Sequence, residues 1–226
     1  MYGIIFDVDG VIADTEAVNA RASIRMFAEV FGLTGVRRAD FAAGLGRGAE
    51  NYVRAAAKVH NFDMSAQQLK VATQTRQDYF LKMLAENPLP PFPGVREMID
   101  EAGNRNDIKL AIATSSTREK SGAVLTSAQI PVEHMAWITG SDVAHKKPHP
   151  ELFLKAASAL HLVPSDCLVI EDAPNGVEAA LAAGCACVAV TNSTSAAYLA
   201  RAHRIVDSLK DMDAEQLIAI INSRNS

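Results

Sequence analysis

Five short apolar runs, Ile4–Phe6, Leu110–Ala113, Ala136–Thr139, Leu168–Ile170 and Val188–Val190, each end in polar or small residues. Helix-length amphipathic segments separate most of them, so the pattern predicts strands alternating with helices. Such alternation gives an α/β fold, a Rossmann-like parallel sheet with helices on both faces. The regularity breaks between about residues 16 and 88. There the segments ASIRMFAEVF, GAENYVRAAAKVH and AQQLKVATQTRQDYFLKMLAE keep helical spacing throughout and contain no strand pattern. The stretch stops at NPLPPFPG, where four prolines in six positions read as a stiff linker. The expected organisation is therefore an α/β core of residues 1–15 and 89–226 with an all-helical cap of residues 16–88 inserted after the first strand. Such an insert is expected over the carboxyl end of that strand, as a lid that excludes water and opens to admit substrate.

The composition narrows the class without naming it. A chain of 226 residues, 49% of them hydrophobic, can bury a sizeable core and is not intrinsically disordered. Its net charge of −4 leaves no footprint for nucleic acid. No basic segment precedes a long apolar one, so neither a signal peptide nor a membrane span is expected; the prediction is a cytoplasmic protein, monomeric or weakly dimeric. Cys167, Cys185 and Cys187 are odd in number and lie in or beside apolar runs, where a reduced cysteine packs as a small hydrophobe. Cys185 and Cys187 lack the matching pair that a zinc site needs.

Four segments each place polar groups just past a predicted strand. FDVDG supplies Asp7 and Asp9, which at i and i+2 of an extended segment leave the same face. KLAIATSST ends at Thr114 and Ser115, SDVAHKKPHP carries Lys146 and Lys147, and LVIEDAPNG ends at Glu171 and Asp172. In an open α/β sheet all four converge on the edge where ligands bind. Two carboxylates about 4 Å apart repel by roughly 4 kcal/mol at an effective dielectric near 20, so the cluster needs a cation. A hard divalent ion answers this, and Mg²⁺, which keeps several waters and suits phosphates, is the expected one. A lysine and the Thr114 hydroxyl complete a pocket for a dianion such as phosphate.

These residues resemble the haloacid dehalogenase-like phosphatase superfamily, in the branch of β-phosphoglucomutase and phosphoglycolate-type phosphatases. DVDGVIADTE, ATSS, KKPHPELF and IEDAPNGVEAALAAG look like the four family motifs, in the family's order, and the helical insert looks like its cap. The resemblance implies that Asp7 is a nucleophile forming a phospho-aspartate and that Asp9 is the general acid/base. It implies Mg²⁺ held by Asp7, the Asp9 carbonyl and Asp172, with Glu171 a direct or outer ligand. Thr114, the Ser115 amide and Lys147 would bind phosphoryl oxygens; Lys147 is preferred over Lys146 because the family's lysine precedes proline. Arg47, in GLGR, falls where related caps carry a substrate-binding arginine, with Arg76 and Lys82 as weaker candidates.

Other patterns have blander readings. Asp7–Gly10 is not a calcium loop, which needs glycine at its sixth position and glutamate at its twelfth, whereas Gly10 is fourth and Val18 twelfth. GLGRGA at residues 44–49 matches a dinucleotide fingerprint but has no strand before it. His149 lies near the site and is not assigned a catalytic role. The mutase histidine is replaced by Asn19, which cannot shuttle a proton near neutral pH. The expected function is a Mg²⁺-dependent phosphatase acting on a small phosphorylated metabolite, a sugar phosphate by preference. A β-phosphoglucomutase is the alternative. A non-catalytic phosphate-binding relative is disfavoured because Asp7, Asp9, Lys147 and Asp172 are all present.

Overall fold

The computed structural model describes residues 1–45 and 48–224. It divides into two compact units, one of residues 1–14 and 90–226 and the other of residues 15–89.

The first unit is built on a sheet whose strands are β1 (Tyr2–Phe6), β2 (Ile108–Ala113), β3 (Ala136–Ile138), β4 (Cys167–Glu171), β5 (Ala186–Val190) and β6 (Arg204–Val206). Their order is β3-β2-β1-β4-β5-β6, and every pairing is parallel. The strands β1, β4 and β5 are apolar at nearly every position because both faces are covered. Ile5, Ala111, Val169 and Cys187 face a layer made by α6 (Glu151–Ala159) and α7 (Pro174–Ala183). Their alternates, Ile4, Ile112, Leu168 and Val188, are equally buried on the opposite face. There α4 (Val95–Gly103) and α8 (Ala214–Arg224) pack on the sheet. The Rossmann-like core expected from the alternation of runs is therefore present. The strand that the pattern missed is β6, three residues on the sheet edge with Arg204 exposed, too short and too polar to stand out.

The second unit is helical: α1 (Thr15–Phe31), a short 3₁₀ segment Arg38–Gly44, α2 (Ala49–Val59) and α3 (Ala66–Glu86). Ser65 caps α3, its hydroxyl accepting the Gln68 amide while the Gln68 side chain accepts the Ser65 amide. The unit has its own core of Met26, Phe27, Phe41, Tyr52, Val53 and Leu69, with the Phe41 and Tyr52 rings stacked at 4.5 Å. Among the described residues, no helix is long and apolar enough to cross a membrane.

Candidate active site

The strand order reverses between β1 and β4, since the chain runs outward from β1 through β2 to β3 and then returns to β4. Ligands bind at the carboxyl ends of strands flanking such a switch. Phe6 pairs with Ile112 on one side and Ile170 on the other, so the next residue on each strand brings Asp7 beside Ala113 and Glu171. The Asp7 amide continues the ladder, donating to the Ile170 carbonyl at 3.1 Å.

Asp7, Glu171 and Asp172 are buried, and their oxygens lie within 4.8 Å of one another. Lys147 reaches between them: its Nζ donates to Asp7 Oδ1 at 2.7 Å and Glu171 Oε1 at 2.6 Å, with only 5% of its side chain exposed. Lys146, the neighbouring alternative, is exposed. Burial pushes the Asp7 carboxyl up from 3.8 to about 7; Lys147 pulls against this, while the charges of Glu171 and Asp9 reinforce it. Burial first, then Glu171 and Asp7, likewise drives Asp172 well above the usual carboxylate range. The lysine ammonium is held protonated by the two carboxylates it bridges, against the desolvation that favours its neutral form.

Once all three carboxyls are ionised, one lysine leaves two negative charges uncompensated in a buried space, which a divalent cation with oxygen ligands fits. The three carboxylates are not equally available to it. Glu171 Oε1 is engaged by Lys147, and its Oε2 accepts from the Asp172 and Ala173 amides at 2.9 and 3.1 Å. Asp7 and Asp172 are thus the carboxylates better placed to face a metal, with Glu171 fixing the lysine. Glycines let the cluster close: a methyl at Gly176 would overlap the Glu171 carboxyl, and one at Gly10, whose φ is +82°, would overlap Asp172.

The strand ends at Phe6, so Asp9 lies in the turn beyond it, near enough for its charge to help raise the Asp7 carboxyl. Its Oδ2 accepts from the Ser116 hydroxyl at 2.6 Å and its Oδ1 from Lys120 Nζ at 2.7 Å. Thr114 is buried just past β2; its hydroxyl oxygen accepts the Ser116 amide at 3.1 Å, leaving the proton as a donor. Ser115 follows it, with a buried hydroxyl that has no partner among the described residues. Ser193, which hydrogen-bonds Asp172, and Asn192, whose side chain donates to the Gly10 carbonyl at 2.8 Å, brace the cluster from the loop after β5. Sequence reasoning did not find Ser116, Lys120, Asn192 or Ser193. Ser116 adjoins the Thr114–Ser115 pair, but the other three carry no local signal.

The loop that carries Lys147 is stapled from outside. Glu151 accepts from the Ala144 and His145 amides at 3.0 and 2.9 Å and pairs with Lys155, and the Glu151 amide donates to His149 Nδ1. His145, His149 and Glu151 are clustered closely enough to suggest a metal, yet these bonds occupy the carboxylate and one imidazole nitrogen. The cysteines are buried thiols, with Cys167 and Cys185 pushed up to about 12 by desolvation, and serve as packing.

In the helical unit Arg76 is buried, donating from Nη2 to Asn19 Oδ1 at 2.8 Å and from Nε to Ser23 Oγ at 3.0 Å, with its guanidinium over the Tyr52 ring. Lys82 is exposed on α3. Arg47 lies outside the described residues, as does part of the Gly44–Ala49 stretch.

Residues 4–190 match the family described as haloacid dehalogenase-like hydrolase. The chain belongs to the haloacid dehalogenase-like hydrolases. The resemblance read from the four motifs is borne out, and with it the expectation of an enzyme. Among curated relatives of this hydrolase, the CbbY protein of Rhodobacter capsulatus is 32% identical over 80% of this chain and 81% of its own. The phosphorylated carbohydrates phosphatase of Thermotoga maritima is 30% identical over 81% and 82%. The chloroplastic SUPPRESSOR OF QUENCHING 1 protein of Arabidopsis thaliana is 33% identical over 87% of this chain, which spans only 18% of that much longer protein. Of solved structures, CbbY from Rhodobacter sphaeroides in complex with xylulose-1,5-bisphosphate superposes with a TM-score of 0.84 at 26% identity, covering 96% of this hydrolase and 99% of CbbY. A β-phosphoglucomutase from Clostridium difficile gives a TM-score of 0.84 at 24% identity, covering 100% and 99%, and shares the fold.

Proposed function

We propose that this hydrolase is a Mg²⁺-dependent phosphomonoesterase that cleaves a small sugar phosphate through a phosphorylated Asp7. The observation that carries the reading is the buried set of Asp7, Lys147, Glu171 and Asp172, two negative charges in excess, beside the donors of Thr114 and Ser115. Relatives whose names or ligands specify phosphorylated carbohydrates support the substrate class.

Asp7 attacks phosphorus through a carboxylate oxygen while the bond to the leaving alcohol breaks, and Asp9 gives that oxygen its proton. Water then loses a proton to Asp9 and attacks the phosphoryl group, the aspartyl bond breaks, and Asp7 and inorganic phosphate are released. Lys147 and the Thr114 hydroxyl meet the charge on the phosphoryl oxygens, and Glu171 holds the lysine in place. Asp7 and Asp172 would hold Mg²⁺, which would supply charge neutralisation for the dianion. The helical unit acts as a cap, with Arg47 and the buried Arg76 as its candidate anion-recognising groups.

A phosphate-release screen over sugar mono- and bisphosphates, phosphoglycolate and nucleotides tests the reading; a clear preference for a sugar phosphate is expected, and no phosphate release in Mg²⁺ overturns it. The mutase alternative is disfavoured by Asn19, whose amide is tied to Arg76. It would be favoured if β-glucose 1-phosphate with a trace of glucose 1,6-bisphosphate gave glucose 6-phosphate much faster than free phosphate.

A further inference from the structure

Asp9 has to deliver a proton to one oxygen and then take one from another, which requires its carboxylate to be held at a fixed angle. Rotation about its side-chain bonds would otherwise spread it over several rotamers. Two groups remove that freedom, one on each oxygen. The Ser116 hydroxyl donates to Oδ2 at 2.6 Å and Lys120 Nζ donates to Oδ1 at 2.7 Å, while Lys120 Nζ and Ser116 Oγ are themselves 3.3 Å apart. The anchors are rigid. The Ser116 amide is tied to Thr114 Oγ1 at 3.1 Å and its carbonyl to the Gly140 amide at 2.9 Å. Lys120 stands in the first turn of α5 (Arg118–Ser127), where its own amide donates to the capping hydroxyl of Thr117.

The placement of this lysine in the first turn of its helix has an electrostatic cost. The first turn carries the positive end of the helix dipole, which favours acidic side chains and disfavours cations. The Lys120 side chain is also largely withdrawn from water, with 14% of its surface exposed beside 29% for Asp9. A surface pair of this kind is worth little when solvated, but a partly buried one fixes geometry through charge-assisted bonds.

We infer that Lys120, with Ser116, is the positioning residue for Asp9, holding its carboxylate in the orientation from which it exchanges protons with the leaving oxygen and with water. The inference rests on the acid/base role proposed for Asp9. Each carboxylate oxygen has a second lone pair beyond the one that Lys120 or Ser116 uses, so the clamp does not occupy the proton-carrying position.

The leaving group provides the test, because a nitrophenolate departs without a proton whereas an alkoxide needs one. Benzyl phosphate and p-nitrophenyl phosphate are similar in size, and neither has a remote charged group for a lysine to bind. Comparing kcat/KM, which reports the steps through transfer to Asp7, cancels any general loss of positive charge. Asp9→Asn is expected to lose about 10² to 10⁴-fold on benzyl phosphate and much less on p-nitrophenyl phosphate. Lys120→Met is expected to show the same selectivity, with benzyl phosphate falling at least about tenfold further than p-nitrophenyl phosphate. Lys120→Arg, which restores a donor and a charge, should recover most of the loss, and circular dichroism should find all variants folded. Equal losses on both esters, or none, in Lys120→Met while Asp9→Asn remains selective overturn the inference alone. An unselective Asp9→Asn overturns the acid/base reading and the inference with it.

Discussion

Replacing Lys147 with methionine removes the cation that bridges Asp7 and Glu171 and leaves three buried carboxylates within 4.8 Å. Breaking a buried ion pair from one side costs about 3–5 kcal/mol, because the partner charge stays behind unpaired. For a chain of this length that corresponds to a fall in Tm of roughly 6–20 °C. The loss depends on pH, and its sign follows from Asp7. In the folded wild-type protein without metal its carboxyl titrates at about 7, above its ordinary 3.8, so folding holds that proton and stability declines as pH rises from 3.8 through 7. Lys147 opposes the elevation, so without it Asp7 titrates higher still. Above about pH 7 the folded variant binds a proton that the wild type has released, and the gap widens by up to about 1.4 kcal/mol per pH unit. Thermal unfolding of metal-free protein at pH 5.5, 7 and 8 measures this directly. Mg²⁺ should then raise the Tm of the variant more than that of the wild type, since it supplies the missing charge. A Tm at pH 8 within about 2 °C of wild type, less than 1 kcal/mol, or a deficit independent of pH, would refute the argument that Lys147 neutralises this cluster.

Other outcomes follow from the same geometry. Chelation should abolish phosphate release and Mg²⁺ restore it, and calorimetric Mg²⁺ affinity should tighten from pH 6 to 8 as Asp7, titrating at about 7, gives up its proton; a pH-independent affinity would remove Asp7 from the ligand set. Asp7→Asn should end turnover with the fold intact by circular dichroism, and retained activity would exclude covalent catalysis at that position. Gly176→Ala forces a methyl into the Glu171 carboxyl, so thermal unfolding should report a loss of about 1–3 kcal/mol and activity should fall with it.

How much of this was legible depends on whether a residue's neighbours are local. Strands β1, β4 and β5 were readable because burial on both faces makes them apolar at nearly every position. β6 was not, because an edge strand of three residues, one exposed and two half-buried, leaves no such trace. Asp7, Asp9, Glu171 and Asp172 stood out because strand ends in an α/β sheet are where polar groups have chemistry to do. Their partners did not. Asp9 and Lys120 are 111 residues apart, and only the folded chain brings them together. The turn after Phe6 brings Asp9 to Ser116 and Lys120, partners that a period-2 argument about Asp7 and Asp9 does not reach.

The central place of β1 has a consequence for the order in which the protein can be made. Its two neighbours, β2 and β4, lie about a hundred and more residues downstream, and Asp7 waits for a lysine 140 positions later. A nascent chain therefore holds an open, unpaired edge on β1 until β4 emerges from the ribosome. Closure at such sequence distances is slow, and an apolar strand kept waiting is a target for wrong pairing. The helical unit, which has its own core and is translated in the interval, can fold during that wait.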